Sequence, residues 1–473
     1  MINLANTDLH QFKHVYFLGI GGIGMSALAR WFKQHEFWVG GYDKTPSPLT
    51  ESLINEGIEI HFEDSVQQIP AFVKENKEQT LVVLTPAIPK NHAEWAFFKD
   101  AQYEILKRSQ VLGLISRSCF TVGVAGTHGK TTTSSMIAYL LKEAGLGCTA
   151  FLGGVTSNYG TNFLLSDKLI GDTVMVVEAD EFDRSFLTLF PNIAVVTSTD
   201  SDHLDIYGDD ETMKQAYGDF IGQIKREGKL FVQNNIKQKF ETRTGVVAKT
   251  YGLSDGQLLA DNVAANGFGF DFELKEGLAN YGKFHLSMPG FHNVENAIAA
   301  IAVANALGIS YDKLREILPG FKGVKRRFEK VYEDSSVVLV DDYAHHPTEI
   351  SAALKSMRAL FPEKKLGVIF QPHLFSRTKD FALEFSHSLN EADRLWLLDI
   401  YPARELPMSG VTSKLILDRI DISEKAIVSK EELVEQVVNS DCQVIVVLGA
   451  GDIDRMVQPL ANALSERSKT VEA

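Results

Sequence analysis

Three times along the chain a short run of β-branched and other apolar residues stops at glycines or polar residues and gives way to helically spaced apolar positions. That alternation is the mark of α/β units. In the first, His14-Val15-Tyr16-Phe17-Leu18 passes through Gly19-Ile20-Gly21-Gly22-Ile23-Gly24 into an amphipathic stretch carried by Met25, Leu28, Ala29 and Phe32, and a second strand ends at Asp43. The next unit opens with Phe120-Thr121-Val122-Gly123-Val124 and enters a helix through Met136, Ala138, Leu140 and Leu141. Its later strands are predicted over Thr173 to Glu178 and Ile193 to Thr197. An alanine-dense stretch from Asn296 to Leu307, apolar all round and closed by Gly308, predicts a buried helix with a boundary after it. Beyond the basic cluster Lys322, Lys325, Arg326 and Arg327, strand signals at Val337 to Val340, Leu366 to Phe370, Leu395 to Leu398 and Val444 to Leu448 carry a last unit to the C-terminus. The expected domains are 1–117, 118–324 and 325–473.

The length of 473 residues agrees with that division. Hydrophobic residues at 45% and charged residues at 23% are ordinary for a globular chain with a sizeable core. The 47 Lys and Arg against 61 Asp and Glu leave a formal charge of −14, which argues against general affinity for nucleic acid or anionic membranes. Any phosphate must therefore be held by a local site. Cys119, Cys148 and Cys442 are too scattered for a metal or disulfide framework and fit a reducing compartment. No basic segment leads into an apolar run at the N-terminus, and no uncharged stretch reaches the ~18 residues that span a bilayer. A cytoplasmic protein is expected.

Ala125-Gly126-Thr127-His128-Gly129-Lys130-Thr131-Thr132-Thr133 lies between a strand and a helix and reads as a phosphate-binding loop. Glycines let backbone N–H groups converge on phosphate oxygens, Lys130 supplies a point charge, and the Thr131 hydroxyl can join a Mg²⁺ shell. Val124 stands where the longer form of the loop has its first glycine, so this is a shortened variant. The plainer alternative is a glycine turn with an incidental lysine. A nucleotide loop needs an acidic metal partner at a neighbouring strand end, and Glu178 in Glu178-Ala179-Asp180-Glu181 meets that need. Solvation of a strand end accounts for the same carboxylates. His203, in Asp202-His203-Leu204-Asp205, follows a further strand and is a candidate for metal or phosphate.

Gly19, Gly21 and Gly24, with Asp43 at the distance of a ribose partner, match the dinucleotide fingerprint. The geometry reports a diphosphate at a helix N-terminus and leaves open a nicotinamide cofactor or a nucleotide sugar. In the last unit Asp341-Asp342-Tyr343-Ala344-His345-His346-Pro347-Thr348, Gln371-Pro372-His373 and Ser376-Arg377-Thr378-Lys379 cluster polar groups at strand ends. Adjacent histidines without further ligands at metal spacing disfavour zinc.

Together these motifs, with Pro289-Gly290-Phe291-His292-Asn293-Val294-Glu295-Asn296, Arg326-Arg327-Phe328 and Gly449-Ala450-Gly451-Asp452, resemble the Mur ligase family over essentially the whole chain. The first glycine run with Met25-Ser26 and the Tyr-Ala-His-His-Pro run point to its alanine-adding member. The resemblance implies a Rossmann-like N-terminal domain for a UDP-sugar, a central P-loop ATPase domain, and a Rossmann-like C-terminal domain that closes over both. It implies ATP-dependent, Mg²⁺-assisted ligation of L-alanine to UDP-N-acetylmuramate through an acyl phosphate, in peptidoglycan precursor synthesis. Carried over by position, Gly19, Gly21, Gly22, Gly24 and Asp43 hold the UDP-sugar. Gly126, Thr127, His128, Gly129, Lys130, Thr131, Thr132, His292, Asn293, Asn296 and Asp342 hold ATP, and Thr131, Glu178 and His203 hold the metal. Lys130, Glu178, His203, Arg327, His346 and Arg377 form the catalytic set. Relatives adding later residues carry a carbamylated lysine; the corresponding neighbourhood here is Tyr217, with Lys214 nearest, so none is expected. A nicotinamide dehydrogenase, a non-catalytic nucleotide switch and a recycling ligase that attaches a tripeptide are the rival readings.

Overall fold

The computed structural model describes residues 9–117, 119–168, 172–200, 207, 209–236, 238, 240–403 and 405–472. Two compact units are formed, Met1–Leu259 with Asn296–Ile317, and Ala260–Glu295 with Leu318–Ala473.

In the first unit, β1 (His14–Leu18), β2 (Trp38–Tyr42), β3 (Glu59–His61), β4 (Thr80–Leu84) and β5 (Glu104–Lys107) form a parallel sheet in the order β3-β2-β1-β4-β5. Leu18 faces Tyr42 on one side and Leu84 on the other. The direction of strand addition reverses at β1/β4, which opens a crevice beyond the carboxyl ends. Val15 and Phe17 pack with Leu28 and Phe32 on one face, while Tyr16 and Leu18 pack with Val82 and Phe98 on the other. Burial of both faces explains why the strand reads as an unbroken apolar run.

The same unit holds β6 (Phe120–Ala125), β7 (Cys148–Phe151), β8 (Phe163–Leu164), β9 (Val174–Glu178), β10 (Ile193–Val196), β11 (Lys229–Gln233) and β12 (Val247–Gly252), in the order β12-β11-β10-β6-β9-β7-β8. β6 lies between β9 and β10, parallel to both, so the chain ends of all three face one edge. Helix Lys130–Glu143 follows β6 and is buried from Thr131 to Leu141.

In the second unit β13 (Leu258–Asn266, from Ala260 onward) neighbours β14 (Gly269–Glu276), which pairs antiparallel with β15 (Ala279–Leu286). β16 (Glu329–Glu333), β17 (Val338–Asp342), β18 (Leu366–Phe370), β19 (Arg394–Leu397), β20 (Glu424–Ile427) and β21 (Val444–Leu448) form a sheet in the order β16-β17-β21-β18-β19-β20, antiparallel only at β16. Leu339, Ile369, Trp396, Ile445 and Leu460 lie in its core.

The predicted strands are present within one or two residues. β2 stops at Tyr42, one residue before Asp43, whose carboxylate turns to Gly21. The buried helix spans Phe291–Ala306 and so begins five residues before Asn296, directly after Gly290 at φ +111°. Strands β13 to β15, of which β14 and β15 pair antiparallel, lie outside the predicted elements. Among the described residues no helix is long and apolar enough to cross a membrane. The three cysteines are free thiols, with Cys148 and Cys442 buried.

Candidate active site

β6 delivers the chain into Gly126-Thr127-His128-Gly129, and helix Lys130–Glu143 starts at the next residue. Val124 is fully buried inside β6 opposite Glu178, so the loop begins only at Gly126. Gly126 has φ +136° and a Cβ on it would lie 2.1 Å from Thr197 Oγ1; Gly129 has φ +81° and its Cβ would lie 2.7 Å from Asn296 Oδ1. Both positions require glycine. Polar neighbours fix the loop: Thr127 Oγ1 donates to Asp200 O at 2.8 Å and Ser198 Oγ accepts from His128 N at 2.8 Å. Thr133 Oγ1 donates to Asn296 Oδ1 at 3.0 Å, which seats Asn296 beneath the start of the helix.

Lys130 folds back over the loop, its Nζ 2.6 Å from Gly126 O and 2.8 Å from Glu181 Oε2. Burial pulls the ammonium pKa down, but Glu181, Asp180 and Glu178 outweigh it and hold the group charged, above the ordinary lysine range. Beside it Thr131 Oγ1 donates to Glu178 Oε2 at 2.8 Å. Gly153 backs that carboxylate so closely that a Cβ would stand 2.1 Å from Oε2. Two hard oxygen donors therefore meet at a helix N-terminus, a donor set that fits Mg²⁺ rather than a soft metal. Thr132 is buried in the first turn of the helix. His203, with Asp202 and Asp205, lies outside the described residues.

The other glycine loop follows β1. Gly19 has φ +88°, Gly21 N donates to Asp43 Oδ2 at 2.7 Å, and Gly22 is the N-cap residue of helix Ile23–Gln34. A Cβ on Gly21 would meet Thr50 Cγ2 at 2.5 Å, and one on Gly24 would meet Arg108 Nη1 at 2.4 Å. Arg108, which sequence reading missed, thus covers the first turn of that helix and also reaches Asp180 Oδ2 at 3.5 Å. The available signal was its place directly after β5, at the carboxyl edge of the sheet. Glu181, quoted in a motif but given no role, is the direct partner of Lys130.

Within the second unit, Asp342 ends β17 and accepts from Phe328 N and Ala344 N, each at 2.8 Å. Burial pushes its pKa up to about 6 although Arg327 opposes the shift. The Arg327 guanidinium lies 4.8 Å over the Tyr343 ring, and that of Arg326 5.1 Å from the same ring. The ring of His292 lies 5.5 Å from that of Phe328, and Asn293 Nδ2 donates to Pro289 O at 2.6 Å. His346 caps helix Pro347–Leu360, its Nδ1 accepting from Thr348 N at 3.3 Å. With Nδ1 accepting that bond, a neutral ring carries its proton on Nε2. Arg377 stands in helix Phe375–Asp380.

A glycine loop closed by a charged lysine beside paired threonine and carboxylate oxygens, in one chain with a second glycine loop at a helix start, is an arrangement suited to an enzyme that handles nucleotides. Residues 14–119 match the Mur ligase family catalytic domain, 124–304 the Mur ligase middle domain, and 326–451 the Mur ligase glutamate ligase domain. The chain belongs to the Mur ligase family. It is 48% identical over 463 residues to UDP-N-acetylmuramate–L-alanine ligase of Flavobacterium psychrophilum, covering 97% of this chain and 100% of the relative. The enzyme of the same name from Cytophaga hutchinsonii is 46% identical, over 97% of this chain and 98% of its own. Among solved structures, UDP-N-acetylmuramate-alanine ligase of Thermotoga maritima aligns with a TM-score of 0.80 and 27% identity, over 97% of this chain and 99% of its own.

Proposed function

We infer that this protein joins L-alanine to the lactyl carboxylate of UDP-N-acetylmuramate at the expense of ATP, supplying a peptidoglycan precursor. The observation that carries the chemistry is the meeting of Thr131 and Glu178, 2.8 Å apart, beside the charged Lys130 at the mouth of a glycine loop. The names of relatives matched end to end carry the choice of amino acid.

A carboxylate is a poor acyl donor because oxide would have to leave. In the proposed reaction a lactyl carboxylate oxygen attacks the γ-phosphorus of ATP, the bond to the β,γ-bridging oxygen breaks, and ADP departs. The alanine nitrogen then attacks the acyl carbon, phosphate leaves, and the nitrogen loses a proton to give the amide. Loop N–H groups and Lys130 hold the phosphates and meet the charge that grows on them. Thr131 and Glu178, with His203 proposed as a further ligand, would hold Mg²⁺, which when bound neutralises phosphate charge. Gly19 to Gly24 and Asp43 are assigned to the UDP diphosphate and its ribose, and Arg108 adds a cation at that helix end. From the C-terminal domain, Arg327 and Arg377 would supply charge to the transferring group, and His346 a hydrogen-bond donor. His292, Asn293, Asn296 and Asp342 are assigned to ATP. The domain limits 1–117, 118–324 and 325–473 and a cytoplasmic location belong to the same reading.

Phosphate release with ATP, Mg²⁺ and UDP-N-acetylmuramate, each candidate amine supplied in turn, tests the assignment. Release that depends on L-alanine supports it; release that depends on the tripeptide, or none with any amine, rejects it.

A further inference from the structure

Asn162 ties the helix of the first glycine loop to the residues that back Glu178. Its side chain is fully buried. Nδ2 donates to Ile23 O at 2.5 Å and to Ser26 Oγ at 3.3 Å, while Oδ1 accepts from Arg30 Nη1 at 2.7 Å. All three partners stand on helix Ile23–Gln34. Arg30 is itself held, its Nε 2.8 Å from Glu56 Oε2 and its Nη2 2.7 Å from Glu56 Oε1. At its other end Asn162 accepts through its carbonyl from Leu152 N at 3.0 Å. Gly153, the next residue, presses on the Glu178 carboxylate that takes the Thr131 hydroxyl.

A buried carboxamide that satisfies its groups only through a helix 139 residues away in sequence is an uneconomical way to fill space. An apolar side chain of that size would leave the buried Arg30 Nη1 without this acceptor, so Asn162 and Arg30 form one polar unit with the helix. What the carboxamide adds is direction. The Ile23 carbonyl belongs to the first turn of the helix that follows Gly22, the turn assigned above to the diphosphate. The same residue sets Leu152 and Gly153 against Glu178.

We propose that Asn162 is a positioning residue that couples occupancy of the sugar-nucleotide loop to the geometry of Glu178 and Thr131 at the ATP site. The inference rests on the assignment of Gly19 to Gly24 to UDP-N-acetylmuramate. It makes the two substrates thermodynamically linked through one residue, its side chain on the helix and its main-chain carbonyl on Leu152, and linkage is reciprocal.

The test is calorimetric titration of the full chain with the magnesium complex of a non-hydrolysable ATP analogue, with and without saturating UDP-N-acetylmuramate. In the parent the two dissociation constants should differ by at least about five-fold. In Asn162→Ala the ratio should fall to within about two-fold of unity, with affinity for the analogue alone changed less than the ratio. Asn162→Asp keeps an acceptor for Arg30 but has no donor for Ile23 O, so it should fold and lose the coupling as well. A brace with no signalling role would lower the melting temperature of either variant and leave the ratio intact, and that result overturns the proposal. So does a parent that binds both ligands independently. A parent that does not bind UDP-N-acetylmuramate removes the functional assignment and this inference together, whereas coupling preserved in both variants removes this inference alone.

Discussion

Lys130 and Glu181 form a bidentate pair, Nζ standing 2.9 Å from Oε1 and 2.8 Å from Oε2, with the carboxylate side chain only 1% exposed. Two opposite charges taken out of water hold each other, and either one alone is costly. In this arrangement the lysine is tethered at the base of the loop and is already charged, so a bound triphosphate competes with Glu181 for a preformed cation. Lys130→Ala should therefore act twice. Turnover should fall more than ~100-fold, as when one charge-stabilising group is removed. Stability should fall by about 3 kcal/mol, because Glu181 is left buried and unpaired. Lys130→Met with Glu181→Gln should recover the melting temperature and none of the turnover; recovered turnover would show that the lysine serves the fold alone.

Glu178→Gln keeps the shape at the end of β9 and the contact with Thr131 but removes the charge a hard cation prefers. The Mg²⁺ concentration at half-maximal phosphate release should rise by about ten-fold or more, with partial rescue at high Mg²⁺. Identical metal titrations of parent and variant would reduce Glu178 to a strand-end carboxylate.

Gly21→Val places a branched side chain where Thr50 Cγ2 would be 2.5 Å and Asp43 Oδ2 2.9 Å from its Cβ. The loop must shift and the Gly21–Asp43 bond must lengthen. Steady-state kinetics should show KM for UDP-N-acetylmuramate raised by about ten-fold or more, with KM for ATP within about two-fold of the parent. Equal defects in both would place the two loops in one site. Binding of a nicotinamide dinucleotide by the parent would reinstate the dehydrogenase reading.

Glu94 is fully buried, accepts from Tyr16 Oη at 2.7 Å, and lies 3.4 Å from His61 Nε2. Burial pushes its pKa up to about 7, against the opposing hydrogen bonds from Tyr16 and Ser65. The folded protein thus holds a proton that the unfolded chain releases near pH 4.3, so stability falls as pH rises across that interval and the loss is complete above about 7. Glu94→Gln, always neutral, should flatten the decline in melting temperature between pH 5 and 8, a difference of roughly 3 kcal/mol at most. Equal pH slopes in parent and variant would mean that Glu94 is ionised throughout.

Both glycine loops were legible because strand, glycines and helix are consecutive in sequence, and Gly19, Gly126 and Gly129 take positive φ. The close approaches at Gly126 and Gly129 are to Thr197 and Asn296, far along the chain, and were not legible. Arg108 against Gly24, Glu181 on Lys130 and Asn162 under Ile23 were not legible, since sheet order brings those partners together across long stretches of chain. Strands β13 to β15 did carry a signal: Phe270, Phe272 and Leu274 alternate and are buried. Charged residues on the open face, among them Asp271, Glu273 and Lys275, diluted it. Asn296 was assigned with the nucleotide residues, but its seat beneath Gly129 depends on a stretch of chain that returns to the first unit after Glu295.

The claim on which the account turns is that the carboxylate is activated as an acyl phosphate. UDP-N-acetylmuramate labelled with heavy oxygen in its lactyl carboxylate, incubated with enzyme, ATP, Mg²⁺ and L-alanine, reports on it directly through the mass of the released phosphate. The account predicts one carboxylate oxygen transferred to inorganic phosphate for every amide formed, with ADP as the nucleotide product. Unlabelled phosphate, or release of AMP and pyrophosphate, would contradict it.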